Sequence, residues 1–332
     1  MKKFYQRINY KGELKDISLM LCKDFNLGKF VSDKLLTVGY EDFNFIIKTE
    51  KNKYFIKIFS NFRIDEDCKR YVDIMLKAIE KKVAFPKLFK SEQGHLHITE
   101  VNNTKLRMCV TEYVDGDSYF FLNQKPTEKE IREIAHQAAL INSIDLKPSF
   151  VYDSWAITSF LKQFKKEGEF LSAEDARMIK PLIKEFKDIK IEELPHCFVH
   201  GDIIATNVMK DKNNKIWIVD FAVANYYPRI QELAVMACNI LFDKNSKEKS
   251  EKNLKIALEE YQKEIKLTSR ELKVLPTYIK LAHAMHVLRA NYEKVVEKNN
   301  SKENEYWLNQ GRKGLKQLLK IFNHSKQNDK TK

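Results

Sequence analysis

Asp202 and Asn207 lie in the segment Phe198-Val199-His200-Gly201-Asp202-Ile203-Ile204-Ala205-Thr206-Asn207, which reads H-x-D-x-x-x-x-N. The apolar run Lys215-Ile216-Trp217-Ile218-Val219 follows and ends in Asp220-Phe221. Moving a γ-phosphoryl group onto an alcohol needs a carboxylate beside the incoming hydroxyl, to orient it and accept its proton, and hard oxygen ligands for the Mg²⁺ that bridges the phosphates. Asp202 suits the first role. Asn207 and Asp220 suit the second, one through an amide oxygen and the other through a carboxylate. An isolated H-x-D is as readily a turn whose carboxylate caps backbone amides. The asparagine at the right interval, the apolar strand after it and the acid at that strand's end separate this segment from such a turn. His200 is expected to brace the loop by hydrogen bonding rather than to carry protons.

These residues need a scaffold, and two textures are legible. Leu35–Val38, Phe43–Lys48 and Lys53–Phe59 alternate, with β-branched and aromatic enrichment, as strands do. Thr49-Glu50-Lys51-Asn52 between the last two reads as a tight antiparallel turn. Between Asp65 and Lys82 the residues Tyr71, Ile74, Met75, Ala78 and Ile79 recur at helical spacing, and Pro86 follows. Two more strands are predicted at His95–Thr99 and Leu106–Val114, before Asp115-Gly116-Asp117 breaks the pattern. Helices dominate from there: Thr127–Ile144, opening on a capping box of Thr127 with Glu130, then segments near 155–170, 173–186, 230–241, 250–265, 269–297 and 303–322.

Composition narrows the class. The chain has 332 residues, 43% hydrophobic, with 9 Gly and 7 Pro, enough for a large core in two lobes and unlike a disordered chain. Its 59 Lys and Arg against 46 Asp and Glu leave +13, which favours anionic partners. The basic residues are spread along the chain rather than gathered in one arm, which speaks against a nucleic-acid partner. Five scattered cysteines, none in a C-x-x-C pair, argue against a disulfide framework or a zinc site and fit a cytoplasmic protein. No run approaches 18 consecutive apolar residues and no apolar segment opens the chain, so membrane spanning and secretion are not expected. Nothing in the sequence marks an oligomeric state.

The H-G-D-x-x-x-x-N segment with its following D-F resembles the catalytic segment of the aminoglycoside phosphotransferase and choline kinase superfamily. Arg229-Ile230-Gln231-Glu232-Leu233-Ala234 resembles that family's D-L-A segment, with Glu232 where Asp is usual. Ala138–Ile144 is similar to L-A-x-L-H, with Asn142 where His is common. The resemblance runs from about Leu36 to Leu241. It implies an α+β, bilobal protein-kinase-like fold, with a small antiparallel-sheet nucleotide lobe at 1–114, a helical lobe holding the catalytic loop and acceptor site at 115–324, and a frayed basic tail at 325–332.

It also implies roles. Tyr54-Phe55-Ile56-Lys57-Ile58 resembles the strand whose lysine reaches the α and β phosphates, so Lys57 is the nucleotide anchor. Its carboxylate partner is expected at the start of the next helix, with Glu66 the central candidate between Asp65 and Asp67. Gly39 to Asn44 resembles the family's G-x-x-x-x-N phosphate loop, and Glu112-Tyr113-Val114 its hinge, where backbone groups of Glu112 and Val114 would meet adenine. The nucleotide is expected to be ATP, with GTP open, and the metal Mg²⁺. The acceptor is expected to be a small hydroxylated metabolite, a hydroxy amino acid or an amino alcohol before an aminoglycoside, read by Tyr226, Glu232, His283 or Arg289. Two alternatives are a protein kinase, for which the stretch after Asp220 is short, and a catalytically silent nucleotide- or nucleic-acid-binding module.

Overall fold

The computed structural model of the chain describes residues 5–37 and 41–319. Gly39 and the tail expected at 325–332 lie outside the described residues. Contacts divide the chain into two compact units, one running to Asp117 and adding Lys210–Phe221, the other comprising Ser118–Met209 and the rest. The expected boundary after Val114 falls three residues short of this division, and the stretch carrying Asp220 belongs with the first unit rather than the second.

The first unit is built on five antiparallel strands in the order β1-β2-β3-β5-β4: β1 (Phe30–Leu36), β2 (Phe43–Thr49), β3 (Lys53–Ile58), β4 (His97–Val101) and β5 (Thr104–Glu112). Strand alternation makes one face apolar: Phe43, Phe45 and Ile47 of β2, Ile56 and Ile58 of β3, and Leu106, Met108 and Val110 of β5 share one buried cluster. The β2–β3 turn is as expected, Thr49 N donating to Asn52 O at 2.9 Å. Helix α1 (Leu14–Asp24) covers the apolar face through Ile17 and Leu21 and lies upstream of the segments read from sequence. No side chain caps its start, so only the three–four spacing of Leu14, Ile17 and Leu21 marks it. Helix α2 (Asp65–Glu80) packs against β5 and buries Tyr71, Ile74, Met75 and Ala78, the expected stripe.

The second unit is mainly helical: α3 (Glu128–Asn142), α4 (Phe160–Glu167), α5 (Ala173–Lys187), α6 (Ile230–Cys238), α7 (Lys247–Glu264), α8 (Ser269–Val295) and α9 (Lys302–Leu319). The capping box of Thr127 and Glu130 opens α3. A hairpin-like pair of strands, His196–Val199 against Asn225–Pro228, runs into and out of the chemistry-bearing segment. All five cysteines are free.

Helices α8 and α9 approach closely because α9 carries Gly311 and Gly314 one turn apart. A Cβ on Gly314 would overlap the imidazole of buried His283, and one on Gly311 would sit 2.7 Å from the His283 carbonyl oxygen. In an open helix Gly→Ala gains up to about 1 kcal/mol. Here the overlap dominates, so Gly314→Ala should lower the stability of the chain by about 1–3 kcal/mol, the cost of overpacking, read by urea unfolding. A stabilised variant would contradict this packing.

Candidate functional site

Within the first unit, alternation along β3 turns Lys57 away from the apolar cluster, opposite Asn44 on β2 and Cys109 on β5. The side chain is buried, and a buried ammonium needs counter-charge. Asp42 supplies it at 3.2 Å and Asp220 at 3.5 Å. Burial alone would lower the Lys57 pKa. The carboxylates of Asp220 and Asp42, with Tyr71 beside them, override burial and hold it well above the usual lysine range. Tyr71 donates its hydroxyl to Asp220 Oδ1 at 3.0 Å, and its ring lies 5.1 Å from the Lys57 ammonium. Asp220 adopts φ 69°, in the left-handed region that an Asx residue tolerates better than most. Phe221 after it is buried against Phe85.

The pairing of Lys57 with Glu66 is thereby corrected. Glu66 is exposed on the first turn of α2, Asp65 binds Lys105 and Arg107, and the lysine is held by Asp42 instead. Asp42 also accepts from Ser60 N at 3.0 Å and from Arg63 Nε at 3.2 Å, tying the β2 entry to the loop after β3. The signal in sequence was local: an acid inside the expected phosphate loop, just before the first buried phenylalanine of β2. Asn44 Oδ1 is buried without a hydrogen-bond partner among the described residues. At the expected hinge, Glu112 N donates to Lys87 O and Gly116 N to Val114 O, and the Val114 amide takes part in neither bond.

Within the second unit, the segment from His200 forms a tight loop. Gly201 takes φ 79°, where a side chain would be strained. Asp202 N donates to His200 Nδ1 at 3.2 Å, the bracing expected of that histidine. Asn207 Nδ2 donates to Asp202 Oδ2 at 2.6 Å and to Asp202 O at 3.1 Å, so its Oδ1 is the oxygen left to face a cation. The loop is pinned from below by Glu232 of α6, which is fully buried. Its carboxylate accepts from His200 N at 2.7 Å, Gly201 N at 3.2 Å and Asn142 Nδ2 at 3.2 Å. Burial pushes the Glu232 carboxyl up to about 7, against the pull of these three donors. Asn142 in turn donates to Phe198 O and accepts from Tyr261.

The expected acceptor contacts are corrected in the same terms. Glu232 braces the loop and has no surface to offer a substrate. His283 is buried against Phe242, and burial lowers its pKa to about 3, so it is neutral. Arg289 is committed to buried Glu167 and to Glu293, a structural ion pair rather than a solvated face. Tyr226 is half open to solvent, stacked on His196 with Lys147 over its ring.

Asp42→Ala should cost about 3–5 kcal/mol in unfolding experiments, because it strips a carboxylate from two buried cations, whereas Glu66→Ala should stay within about 0.5 kcal/mol. The reverse order would restore Glu66 as the partner. For Glu232 the raised folded value sets the sign: between about 4.5 and 7 the folded chain keeps a proton that the unfolded chain releases, so stability falls as pH rises through that window. Glu232→Gln should be less stable, since an amide NH₂ meets loop donors. The gap between wild type and variant should narrow from pH 5 to pH 7, at up to about 1.4 kcal/mol per pH unit. A constant gap would place the carboxyl in the ordinary range.

Comparison with known proteins identifies the family of the chain. A family model described as the phosphotransferase enzyme family matches residues 34–264. A homoserine kinase from Zymomonas mobilis is 21% identical over 218 residues, 65% of this chain and 67% of its own. Among solved structures, the microcompartment-associated aminopropanol kinase superposes with a TM-score of 0.68 at 11% identity, covering 91% of this chain and 95% of its own. Spectinomycin phosphotransferase, in complex with ADP and spectinomycin, gives 0.64 at 13%, covering 91% and 94%. Choline kinase from Streptococcus pneumoniae gives 0.59 at 15%, covering 91% and 99%. With an antiparallel-sheet N-terminal region, a helical C-terminal region and a family match across most of its length, the chain belongs to the phosphotransferase enzyme family and has the protein-kinase-like fold.

Proposed function

We propose that the chain transfers the γ-phosphoryl group of ATP, with Mg²⁺, to a hydroxyl of a small metabolite, a hydroxy amino acid or an amino alcohol. The observation that carries this reading is the Asp202–Asn207 hydrogen bond of 2.6 Å in a loop whose amides are clamped by Glu232. Asp202 orients the acceptor hydroxyl and takes its proton while the hydroxyl oxygen bonds to the γ-phosphorus. The bond from that phosphorus to the β,γ-bridging oxygen breaks, and ADP leaves with the electron pair. Lys57 contacts the α and β phosphates, and the backbone at Glu112 and Val114 meets the adenine. An acid and an amide oxygen, Asp220 and Asn207, suit a hard divalent cation, which when bound would neutralise charge on the phosphates. The first unit is on this reading the nucleotide-binding part, and the second carries the acceptor.

The names of the relatives support an acceptor of this size: homoserine kinase, aminopropanol kinase and choline kinase. A polycationic aminoglycoside fits a chain of net charge +13 less well. Only Phe221 to Arg229 separate Asp220 from α6, a short run for the peptide platform of a protein kinase. A cytoplasmic setting accords with five free cysteines.

Asp202→Ala should reduce kcat by about 10²–10⁴-fold in a coupled ADP-release assay while calorimetry still shows ATP binding. Asp220→Ala should weaken binding of ATP in the presence of Mg²⁺ far more than in its absence. Full turnover by the Asp202 variant would remove the assigned role.

A further inference from the structure

The second unit contains a cavity of about 680 Å³ between the segment after Ser118, the end of α6 and α9. Phe120 and Tyr306 form an aromatic wall, 5.3 Å between ring centroids. The cavity is tied to the Asp202 loop by two bonds on one residue: Phe120 N donates to Ala205 O at 2.9 Å, and Ala205 N to Asn239 Oδ1 at 2.9 Å. Gln310 on its wall donates to Cys238 O at 2.8 Å.

The charges lining the cavity are unequal. Lys125, Lys244 and Lys313 face one carboxylate, Asp243, and that acid is already paired with Lys249 at 3.1 Å. Lys125 is an exposed residue whose ammonium makes one hydrogen bond among the described residues, to Asn239 O at 3.3 Å. An ammonium can donate three hydrogen bonds and accepts none. Donors and positive charge are therefore in surplus here. Burial pulls the Lys125 pKa down to about 8, with Lys244 and Lys249 adding to this and Asp243 opposing it, as expected of a cation short of counter-charge.

We propose that this cavity is the acceptor pocket and that Lys125 binds a carboxylate of the acceptor, so that the substrate is a hydroxy acid or hydroxy amino acid rather than an amino alcohol lacking that group. The proposal rests on the phosphotransfer reading and deepens it. A cationic amino alcohol would meet three ammoniums, whereas a carboxylate would satisfy the surplus donors and leave its hydroxyl to the Asp202 loop.

The test uses L-homoserine and 3-aminopropan-1-ol, which differ only by the carboxylate. Binding is measured by calorimetry on the full chain with a non-hydrolysable ATP analogue and Mg²⁺, and turnover by ATP consumption. Wild type should bind homoserine at least about tenfold more tightly than the amino alcohol, Lys125→Met should erase that preference, and Lys125→Arg should retain part of it. The Kd of the ATP analogue should be unchanged in both variants, which shows that they are folded. Equal binding of the two probes by wild type, or a homoserine preference that survives Lys125→Met, overturns the carboxylate subsite while leaving phosphotransfer intact. Lys125-dependent binding of homoserine with no phosphorylation of any hydroxylated metabolite overturns the phosphotransfer reading instead.

Discussion

The buried ammonium of Lys57 is the constraint around which the first unit is arranged. Strand alternation sends it to the face opposite the apolar cluster, and desolvating a lone cation costs several kcal/mol. Only carboxylates at contact distance offset that cost, and two are present, from distant parts of the chain: Asp42 at the entry to β2 and Asp220 at the end of a strand that returns to this unit after a long excursion. The return of residues 210–221 is thus more than a boundary detail. It brings an acid against a lysine that is 163 positions earlier in sequence (220 − 57), and Tyr71 of α2 fixes one of that acid's oxygens.

The second unit solves a different problem with the same chemistry. A loop that presents Asp202 must turn sharply, which leaves the amides of His200 and Gly201 without strand partners. Glu232 receives both, so a carboxylate serves here as a backbone acceptor rather than as a reacting group. Its oxygens are taken up by the loop and by Asn142; burial pushes its carboxyl up, and these donors pull against that shift.

Much of this was legible because periodicity and spacing are local properties. The β2–β3 turn, the buried stripe of α2 and the Thr127 capping box all follow from residues within a few positions of one another. The loop motif was legible for the same reason, since Asp202 and Asn207 are joined by a single turn of chain. What sequence spacing misassigned were partners chosen in three dimensions. Asp65, Glu66 and Asp67 are the first acids after β3, but Glu66 is exposed and Asp65 is paired with Lys105 and Arg107, while Asp42 reaches Lys57 from the residue before β2. His283 and Arg289 read as a polar face of α8, yet α8 is covered on several sides, by α4, α6 and α9 among others, so both are buried inside the unit, the arginine paired with Glu167. A helix with neighbours around it has no solvent face for the pattern to reveal.

The two departures from the family pattern acquire a common explanation. Asn142 stands where His is common and Glu232 where Asp is usual, and the structure puts these two side chains in direct contact at 3.2 Å. The first exchange removes the far ring nitrogen of a histidine, while the second lengthens the partner by one methylene. Asn142 also keeps two-sided bonding, accepting from Tyr261 while donating to Glu232 and Phe198, as a histidine with one donor and one acceptor nitrogen would only partly do. A residue that looks like a loss when each position is read alone becomes, in contact, one half of a matched pair. The loop amides find their carboxylate in Glu232, which Asn142 holds in place.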